Sequence, residues 1–235
     1  MVEEIKKNIK EVKISVEDMT SAGLHFGHKV SKLHPKMKSY ISGVKNNVNI
    51  IDLEKSSKDL QKALNFISKS IIDGKVVLFV GTKIQVKGLV KLTAIECGLP
   101  YVTERWLGGM FTNFETINKR VEYFKNLERK KSLGEFEKYT KKERMKLDKE
   151  IESLRVKFEG VKNVSKLPDV VVIFDIYKDE TCLREAIRKK IKTVAVCDTN
   201  TDPSKVDYPI PANDDAISSI KYILEKIKET ILNSK

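Results

Sequence analysis

Apolar residues along the chain follow two alternating patterns, one typical of buried strands and one typical of helices. Residues 76–80 form a β-branched apolar run without polar alternation, which predicts a strand buried on both faces. Residues 169–174 and 193–197 repeat this pattern, and residues 101–103 and 208–210 are shorter strand candidates. Such runs are typical of parallel sheets.

Helical stripes with steps of three and four residues lie between and after these strands. The two clearest stripes are Leu60, Leu64, Ile67 and Ile71, and Ile217, Ile220, Leu224, Ile227 and Ile231. Ser56 and Asp59 have capping-box spacing at the start of the first helix, and Gly74 is placed to end it. Asn213 is placed to cap the last helix. With a further helix near residues 179–190, the order predicts an α/β fold, a parallel sheet with helices on both faces.

The segment after Gly81 predicts a strand-to-helix turn. Thr82 and Gln85 have capping-box spacing, and Gly98 follows Cys97, so a helix is expected from Thr82 to Cys97. Steps of four residues place three lysines on one face of that helix: Lys83, Lys87 and Lys91.

Two segments do not fit the parallel sheet. Residues 38–51 predict a hairpin, because Gly43, Asn46 and Asn47 punctuate it. Residues 112–159 carry two apolar stripes around a break at 132–140, which predicts an antiparallel coiled-coil hairpin. Its stripes are Phe114, Ile117, Val121, Phe124 and Leu127, then Leu147, Ile151, Leu154 and Phe158.

Composition restricts the functional classes. The 235 residues include 45 Lys and Arg against 33 Asp and Glu, a formal charge of +12, which favours an anionic partner. The 40% apolar content supports a folded core, and no apolar run approaches the roughly 20 residues of a membrane-spanning helix. Three cysteines without a C-x-x-C pair make a disulfide framework unexpected and fit a cytosolic protein.

Acidic residues are missing from two stretches, residues 26–51 and 74–95. The first contains Lys29, Lys32, Lys36, Lys38 and Lys45, and the second contains Lys75, Lys83, Lys87 and Lys91. Unpaired lysines repel each other unless an anion is near, and an RNA phosphate backbone would supply one. The alternative is a solvated lysine face. Two such stretches in a chain of this charge favour nucleic acid.

Gly81-Thr82-Lys83 also fits a rival interpretation, an enzyme with a nucleotide or flavin phosphate at the strand end. Neither G-x-x-x-x-G-K-[ST] nor G-x-G-x-x-G occurs, since Gly88 is followed by Leu89. A tight strand-to-helix turn is the simpler interpretation.

The remaining candidates for chemistry are weak. His25, His28 and His34 could recruit zinc only with a ligand from elsewhere, and packing or phosphate contact is favoured. The turn at 198–203 contains Asp198 and Asp202, which ordinary turns also use. No nucleophile–His–acid arrangement emerges, so no catalysis is expected.

The segment at 104–113 holds the only tryptophan beside Arg105 and a Gly pair. Arg105 and Asn113 are candidates for RNA contact, whereas Trp106 is expected to fill the gap between the sheet and the helical hairpin.

Together these motifs resemble the bacterial-type family of the second small-subunit ribosomal protein. The resemblance rests on blocks in family order over about residues 20–231: Ala22-Gly23-Leu24-His25-Phe26-Gly27-His28, His34-Pro35-Lys36-Met37-Lys38, Ile50-Ile51-Asp52-Leu53-Glu54-Lys55, Leu78-Phe79-Val80-Gly81-Thr82-Lys83, Pro100-Tyr101-Val102, Arg105-Trp106-Leu107-Gly108-Gly109-Met110, Thr112-Asn113-Phe114, Leu167-Pro168-Asp169, Asp198-Thr199-Asn200, Tyr208-Pro209-Ile210-Pro211 and Asn213-Asp214-Asp215-Ala216-Ile217. Thr201 departs from the pattern, since the family usually has Cys there, and this weakens any Cys-dependent metal site.

The resemblance implies a flavodoxin-like three-layer αβα core with an inserted coiled-coil hairpin. It implies a non-enzymatic structural role in the small ribosomal subunit, bound to its rRNA and to neighbouring proteins, among them the mRNA-binding first small-subunit protein. A cytoplasmic ribosome is expected, with an organelle ribosome as an alternative. No cofactor, metal, membrane or small-molecule substrate is expected.

These expectations divide the chain into an N-terminal extension (1–19), a core (20–111 and 160–235) and the hairpin (112–159). Mechanistically, basic segments should dock on phosphates without reading much sequence. The predicted rRNA-binding residues are Lys29, Lys32, Lys36, Lys38, Lys83, Lys87, Arg105 and Asn113.

Overall fold

The computed structural model describes residues 12–234, so residues 1–11 of the predicted N-terminal extension lie outside the described part. In chain order its strands and helices are α1 (Val16–Ser21), β1 (Phe26–Lys29), β2 (Ile41–Lys45), β3 (Val48–Ile51), α2 (Leu53–Ile72), β4 (Val77–Val80), α3 (Lys87–Glu96), β5 (Tyr101–Val102), α4 (Phe114–Ser132), α5 (Lys141–Phe158), β6 (Val170–Ile173), α6 (Glu180–Lys189), β7 (Lys192–Cys197), β8 (Tyr208–Pro211) and α7 (Ile217–Asn233).

Five parallel strands form the central sheet, in the spatial order β5-β4-β6-β7-β8. Every residue of β4 and β6 is buried, as their unbroken apolar runs predict. Pro209 and Pro211 lie in β8, which is an edge strand, where a missing backbone N–H costs the sheet little. The parallel α/β prediction is therefore confirmed.

Helices cover both faces of this sheet. On one face, buried side chains of α2 and α7, such as Leu64 and Ile227, pack with Phe79 of β4. On the other face, Leu183 of α6 and Phe124 of α4 belong to the same buried cluster as alternate strand residues. The successive side chains of each strand thus enter two different cores, which gives three layers, helix on sheet on helix.

A smaller antiparallel sheet precedes the central one, in the order β1-β3-β2. Asn46 and Asn47 form the two-residue turn between β2 and β3, with φ of 50° and 62°. Positive φ at both turn residues is the geometry that suits two-residue hairpins, and Asn tolerates it. The hairpin predicted within 38–51 is confirmed, whereas its pairing with β1 has no signal in the local sequence.

The predicted helix starts were wrong in four places. α7 begins at Ile217 without a side-chain cap, and Asn213 instead accepts hydrogen bonds from Asp215 N (2.8 Å) and Ala216 N (3.1 Å) in the preceding turn. α2 begins at Leu53, where Asp52 accepts hydrogen bonds from Glu54 N (3.0 Å) and Lys55 N (3.3 Å). Ser56 lies within this helix, and its hydroxyl donates to the buried carbonyl of Pro211. The side chain predicted as a cap therefore joins α2 to the edge strand β8.

The capping boxes predicted at Thr82 and Thr112 were also wrong, because these side chains have partners outside their helices. α3 begins at Lys87 and α4 at Phe114, neither with a side-chain cap. Thr82 and Thr112 instead bind carboxylates that are distant in sequence, as described below. Lys83 consequently lies outside α3, and the predicted row of three lysines on one helix face is reduced to Lys87 and Lys91.

Helix ends were predicted better than helix starts. α2 ends at Ile72 before Gly74, which has a φ of 67°, and α3 ends at Glu96 before Gly98, with a φ of 60°. These glycines adopt the left-handed conformation that ends helices.

In the sequence between β5 and β6, the helices α4 and α5 follow each other and pack together. Val121, Phe124, Leu127 and Ile151 are buried there, and Lys131 Nζ lies 2.7 Å from Asp148 Oδ1 across the pair. Thr140 and Glu143 form a complete capping box at the start of α5. Within residues 12–234, no helix is long and apolar enough to cross a membrane.

Candidate functional site

Polar side chains meet where the parallel strands end. Lys83 follows β4, Asp175 follows β6, and Asp214 and Asp215 follow β8. Lys83 Nζ lies 3.1 Å from Asp175 Oδ2, 2.8 Å from Asp214 Oδ1 and 2.7 Å from Asp215 Oδ1. It also donates to the Asp214 carbonyl at 3.0 Å. We refer to these four residues as the strand-end cluster.

His28 joins the small sheet to this cluster. Its Nδ1 lies 3.2 Å from Asp198 Oδ2, and its Nε2 lies 3.5 Å from Asp215 Oδ2. The His28 backbone N–H donates to Thr199 Oγ1 at 2.8 Å. A Cβ on Gly27 would lie only 2.4 Å from Thr199 Cγ2, so this close approach requires glycine.

Burial and hydrogen bonds together set the pKa values of the cluster and of His28. Burial raises the pKa of Asp214 to about 7, and the charges of Asp175 and Asp198 act in the same direction. Burial alone would lower the pKa of Lys83, but hydrogen bonds to Asp214 and Asp215 raise it well above its usual value. The hydrogen bond to Asp198 raises the pKa of His28. Lys83 and His28 therefore favour their charged forms and neutralise part of the acidic charge.

Another buried carboxylate, that of Asp179 just before α6, binds the turn after β4. Asp179 accepts hydrogen bonds from Thr82 Oγ1 at 2.8 Å and from Thr82 N at 3.2 Å. Burial raises the pKa of Asp179 to about 6. In the phosphate-binding interpretation, the Thr82 N–H would donate to a phosphate. In the structure it donates to the carboxylate of Asp179 instead.

The cleft at the strand ends carries acids and bases together. It has a volume of about 580 Å³, and its acidic and basic lining residues are Asp175, Asp214, Asp215, Lys32, Lys83, Lys178 and His28. The carboxylates repel phosphate and already hold Lys83, and the helix that follows the Gly81–Lys83 turn begins only at Lys87, so this turn is not a helix N-terminus. A phosphate-ligand enzyme at this site is not supported.

The lysines predicted in the first acid-free stretch lie on the surface. We call Lys29, Lys32, Lys36 and Lys38 the lysine surface; all four are exposed. Lys36 Nζ contacts Asp202 Oδ2 at 3.0 Å and Ser204 Oγ at 2.6 Å. Lys29, Lys32 and Lys38 form no ion pair with any residue of 12–234. The charges of Lys29 and Lys38 therefore remain available to a partner, whereas the charge of Lys32 also lowers the pKa of Asp215 in the neighbouring cleft.

The other predicted residues have different surroundings. Lys87 is half-buried and lies 2.9 Å from Glu104 Oε2. Arg105 and Asn113 are exposed at the two ends of a loop. Lys83, in contrast, is enclosed by carboxylates, and its side chain is only 16% exposed. The lysine surface is thus exposed, whereas carboxylates enclose Lys83, although Lys32 lines the same cleft as Lys83.

Glu185 of α6 holds the loop between Arg105 and Asn113. Its carboxylate accepts hydrogen bonds from Trp106 Nε1, three backbone N–H groups and the Thr112 hydroxyl, at 2.7–3.2 Å. Burial alone would raise the pKa of Glu185, but these donors hold it below its usual value. Trp106 packs edge-on against Phe111 at 4.7 Å, which agrees with its expected packing role.

Sequence analysis assigned Asp198 to an ordinary turn and did not single out Asp175 or Asp214 as site residues, although a signal existed. Asp175, Asp198 and Asp214 each follow closely after a predicted strand, and the carboxyl ends of parallel strands share one edge of the sheet. Glu185 and Asp179 had no such signal, because their partners lie far away in sequence.

The three histidines have separate local roles. Burial lowers the pKa of His25, and the nearby Lys45 adds to this effect. His34 Nδ1 accepts a hydrogen bond from Lys36 N at 3.3 Å. Within residues 12–234, no group of three or more His, Cys, Asp or Glu side chains is arranged to hold a metal ion.

Comparison with known proteins gives one consistent result. A family model described as Ribosomal protein S2 matches residues 19–234. A protein of Dictyoglomus thermophilum named small ribosomal subunit protein uS2 is 45% identical over 222 residues, covering 94% of this chain and 90% of the relative. Proteins of the same name from Francisella philomiragia and Dehalococcoides mccartyi are each 41% identical over 94% of this chain, covering 92% and 90% of those relatives.

Proposed function

We propose that this chain, which belongs to the ribosomal protein S2 family, is attached to small-subunit rRNA through the lysine surface. Its role is structural, as a constituent of the small ribosomal subunit, and it is not an enzyme. The proposal concerns which residues make the attachment and which partners surround it.

One observation carries the proposal. The acid-free stretch 26–51 folds into a small sheet and short 3-10 turns that leave its lysines on the surface. Lys29, Lys32 and Lys38 form no ion pair within residues 12–234, and of the three Lys32 acts electrostatically on an acid, Asp215, so the protein itself neutralises little of their charge. Phosphate contact would neutralise them and release counterions, which favours binding at low salt.

Arg105 and Asn113 are proposed as a second part of this contact. They lie at the two ends of the loop that Glu185 holds, so their backbone positions are fixed before binding. A preorganised loop loses less entropy when it binds than a flexible one. Lys87 could join this contact only by leaving Glu104, and Lys83 only by leaving three carboxylates. We therefore expect little from Lys83.

The finer architecture belongs to the same proposal. We propose a flavodoxin-like core at 20–111 and 160–235, with 112–159 as an inserted antiparallel coiled-coil hairpin. The short connection at 133–140 between α4 and α5 supports the antiparallel arrangement. The exposed charged faces of the hairpin would be available to RNA or to neighbouring proteins, including the mRNA-binding first small-subunit protein. The working location is the cytoplasmic ribosome.

Binding to small subunits that lack this protein tests the role of the lysine surface. Replacing Lys29, Lys32 and Lys38 with Gln should reduce the steepness of log affinity plotted against log salt concentration by about 2–3. Each lost phosphate contact removes roughly 0.7–0.9 from this slope. The matched control places Gln at Lys62, Lys221 and Lys228, which already pair with acids of this chain. An equal slope for both variants would contradict the proposal.

Sedimentation of a native lysate tests the role itself. The wild-type chain should travel with the small subunit at low salt and leave it at high salt. A chain that stays at the top of the gradient at low salt would contradict attachment altogether.

A further inference from the structure

Basic side chains lie where α6 ends and β7 begins. This is the end of the sheet at which the strands start, opposite the strand-end cluster. We call them the α6-end cluster, which consists of Arg188, Lys189, Lys190, Lys192 and Lys205. All five are exposed. Lys190, Lys192 and Lys205 line one shallow depression of about 470 Å³, although Lys205 comes from the segment between β7 and β8.

Most of this charge is not neutralised within the protein. Lys192 Nζ lies 2.6 Å from Asp207 Oδ1. Arg188, Lys189, Lys190 and Lys205 form no ion pair with any residue in the described range 12–234. Arg188, Lys189 and Lys190 are consecutive in sequence and Lys205 lines the same depression as Lys190, so these charges repel each other unless an anion lies against them.

Lys190 adds a conformational argument. It is the residue after α6 and adopts the left-handed conformation, with φ of 57° and ψ of 30°. Glycine is the usual residue there, and a side chain with a Cβ is strained in it. The helix dipole accounts for cations such as Arg188 and Lys189 in the last turn. It does not account for a lysine at a glycine position, nor for Lys205 from another segment.

The α6-end cluster lies beside the lysine surface. Lys36 reaches Ser204, the neighbour of Lys205, at 2.6 Å, and 3-10 turns of the two segments contact each other. Basic residues therefore continue from the lysine surface past Lys205 to the end of α6, and the two acids among them, Asp202 and Asp207, are paired with Lys36 and Lys192. An RNA backbone needs positive charge along a track, whereas lysine is depleted at protein–protein interfaces. The chemistry favours RNA over a protein partner.

We propose that the α6-end cluster is a second phosphate-contacting surface for RNA, which extends the lysine surface around this side of the molecule. The proposal rests on the proposed attachment to rRNA. Lys190 would supply a charge at a position where the fold alone would favour glycine.

The Lys190→Gly substitution separates binding from folding, because it should raise the stability of the protein while it lowers the affinity for RNA. Removing the left-handed strain should raise the melting temperature by about 2–4 °C. Removing the charge should weaken binding to protein-depleted small subunits at low salt and reduce the salt slope by about 0.7–0.9. Asn47→Gly is the matched control, since Asn47 also has positive φ but no charge. It should preserve the salt slope.

A double variant, Lys190→Gln with Lys205→Gln, should reduce the slope by about 1.4–1.8. A more stable Lys190→Gly protein with unchanged affinity and slope would overturn the proposal. Binding to protein-free small-subunit rRNA gives the second check. If the double variant bound this RNA normally and lost affinity only for particles containing other proteins, the surface would face a protein instead. Failure of the wild type to bind in either assay would contradict the proposed attachment, which is a distinct result.

Discussion

The carboxylate of Glu185 accepts five hydrogen bonds from the loop that carries Arg105 and Asn113. Its Oε1 accepts from Trp106 Nε1 at 3.2 Å and from Gly109 N at 2.7 Å. Its Oε2 accepts from Phe111 N at 2.9 Å, Thr112 N at 3.0 Å and Thr112 Oγ1 at 3.1 Å. All five donors point at oxygen atoms, so both oxygens are needed.

Glu185→Gln preserves the shape of the side chain but replaces one oxygen with an NH₂ group. In either orientation, this group faces at least two N–H donors that then lack an acceptor. A buried donor without a partner costs about 1–3 kcal/mol, so the substitution should cost about 2–6 kcal/mol. Domains of this kind have a total stability of about 5–15 kcal/mol, so the loss is a large part of it.

Urea unfolding followed by tryptophan fluorescence measures this effect. Trp106 is the only tryptophan, so the signal comes from the loop itself. Glu180→Gln on the same helix is the control, because Glu180 is exposed and its nearest cation, Arg184, is 3.8 Å away. It should change stability by no more than about 0.5 kcal/mol. A Glu185→Gln loss below about 1 kcal/mol would refute the reasoning.

Two further predictions concern the buried charges. Lys83→Met should destabilise the fold by about 3 kcal/mol, because it leaves the carboxylates of Asp175 and Asp214 without their cation, while folded protein should bind rRNA as before. Urea titration and subunit binding check the two parts, and a folded variant with weakened binding would instead support direct RNA contact by Lys83. Between about pH 4 and 6 the folded state holds a proton on Asp179 that the unfolded state releases, so the contribution of Asp179 to stability should fall as pH rises through this range. Asp179→Asn should flatten that slope in unfolding measured at several pH values, and an unchanged slope would assign it to another group.

Local patterns in the sequence predicted the strands and the helix ends. β4 and β6 lie where unbroken apolar runs occur, because a strand between two helical layers must be apolar on both faces. Gly74 and Gly98 follow helices, because their left-handed conformation is a property of single residues. Such signals need only neighbouring residues.

Helix starts depended on distant partners. Thr82 and Thr112 have the local spacing of caps, but Asp179 and Glu185 bind their hydroxyls across 97 and 73 residues of sequence. A hydroxyl pairs with whichever acceptor the packed core brings to it. No local pattern contains that information.

The same distinction applies to the proposed RNA contacts. The sequence by itself determined the α/β sheet, the family and the acid-free stretches, because apolar spacing, motif order and composition are written along the chain. Only the tertiary structure decided which lysines are available. Lys83 lies in an acid-free stretch, yet Asp175, Asp214 and Asp215 surround it, whereas Lys38 remains unpaired among residues 12–234. Electrostatic energy depends on distance in space, and folding brings strand ends together that are far apart in sequence.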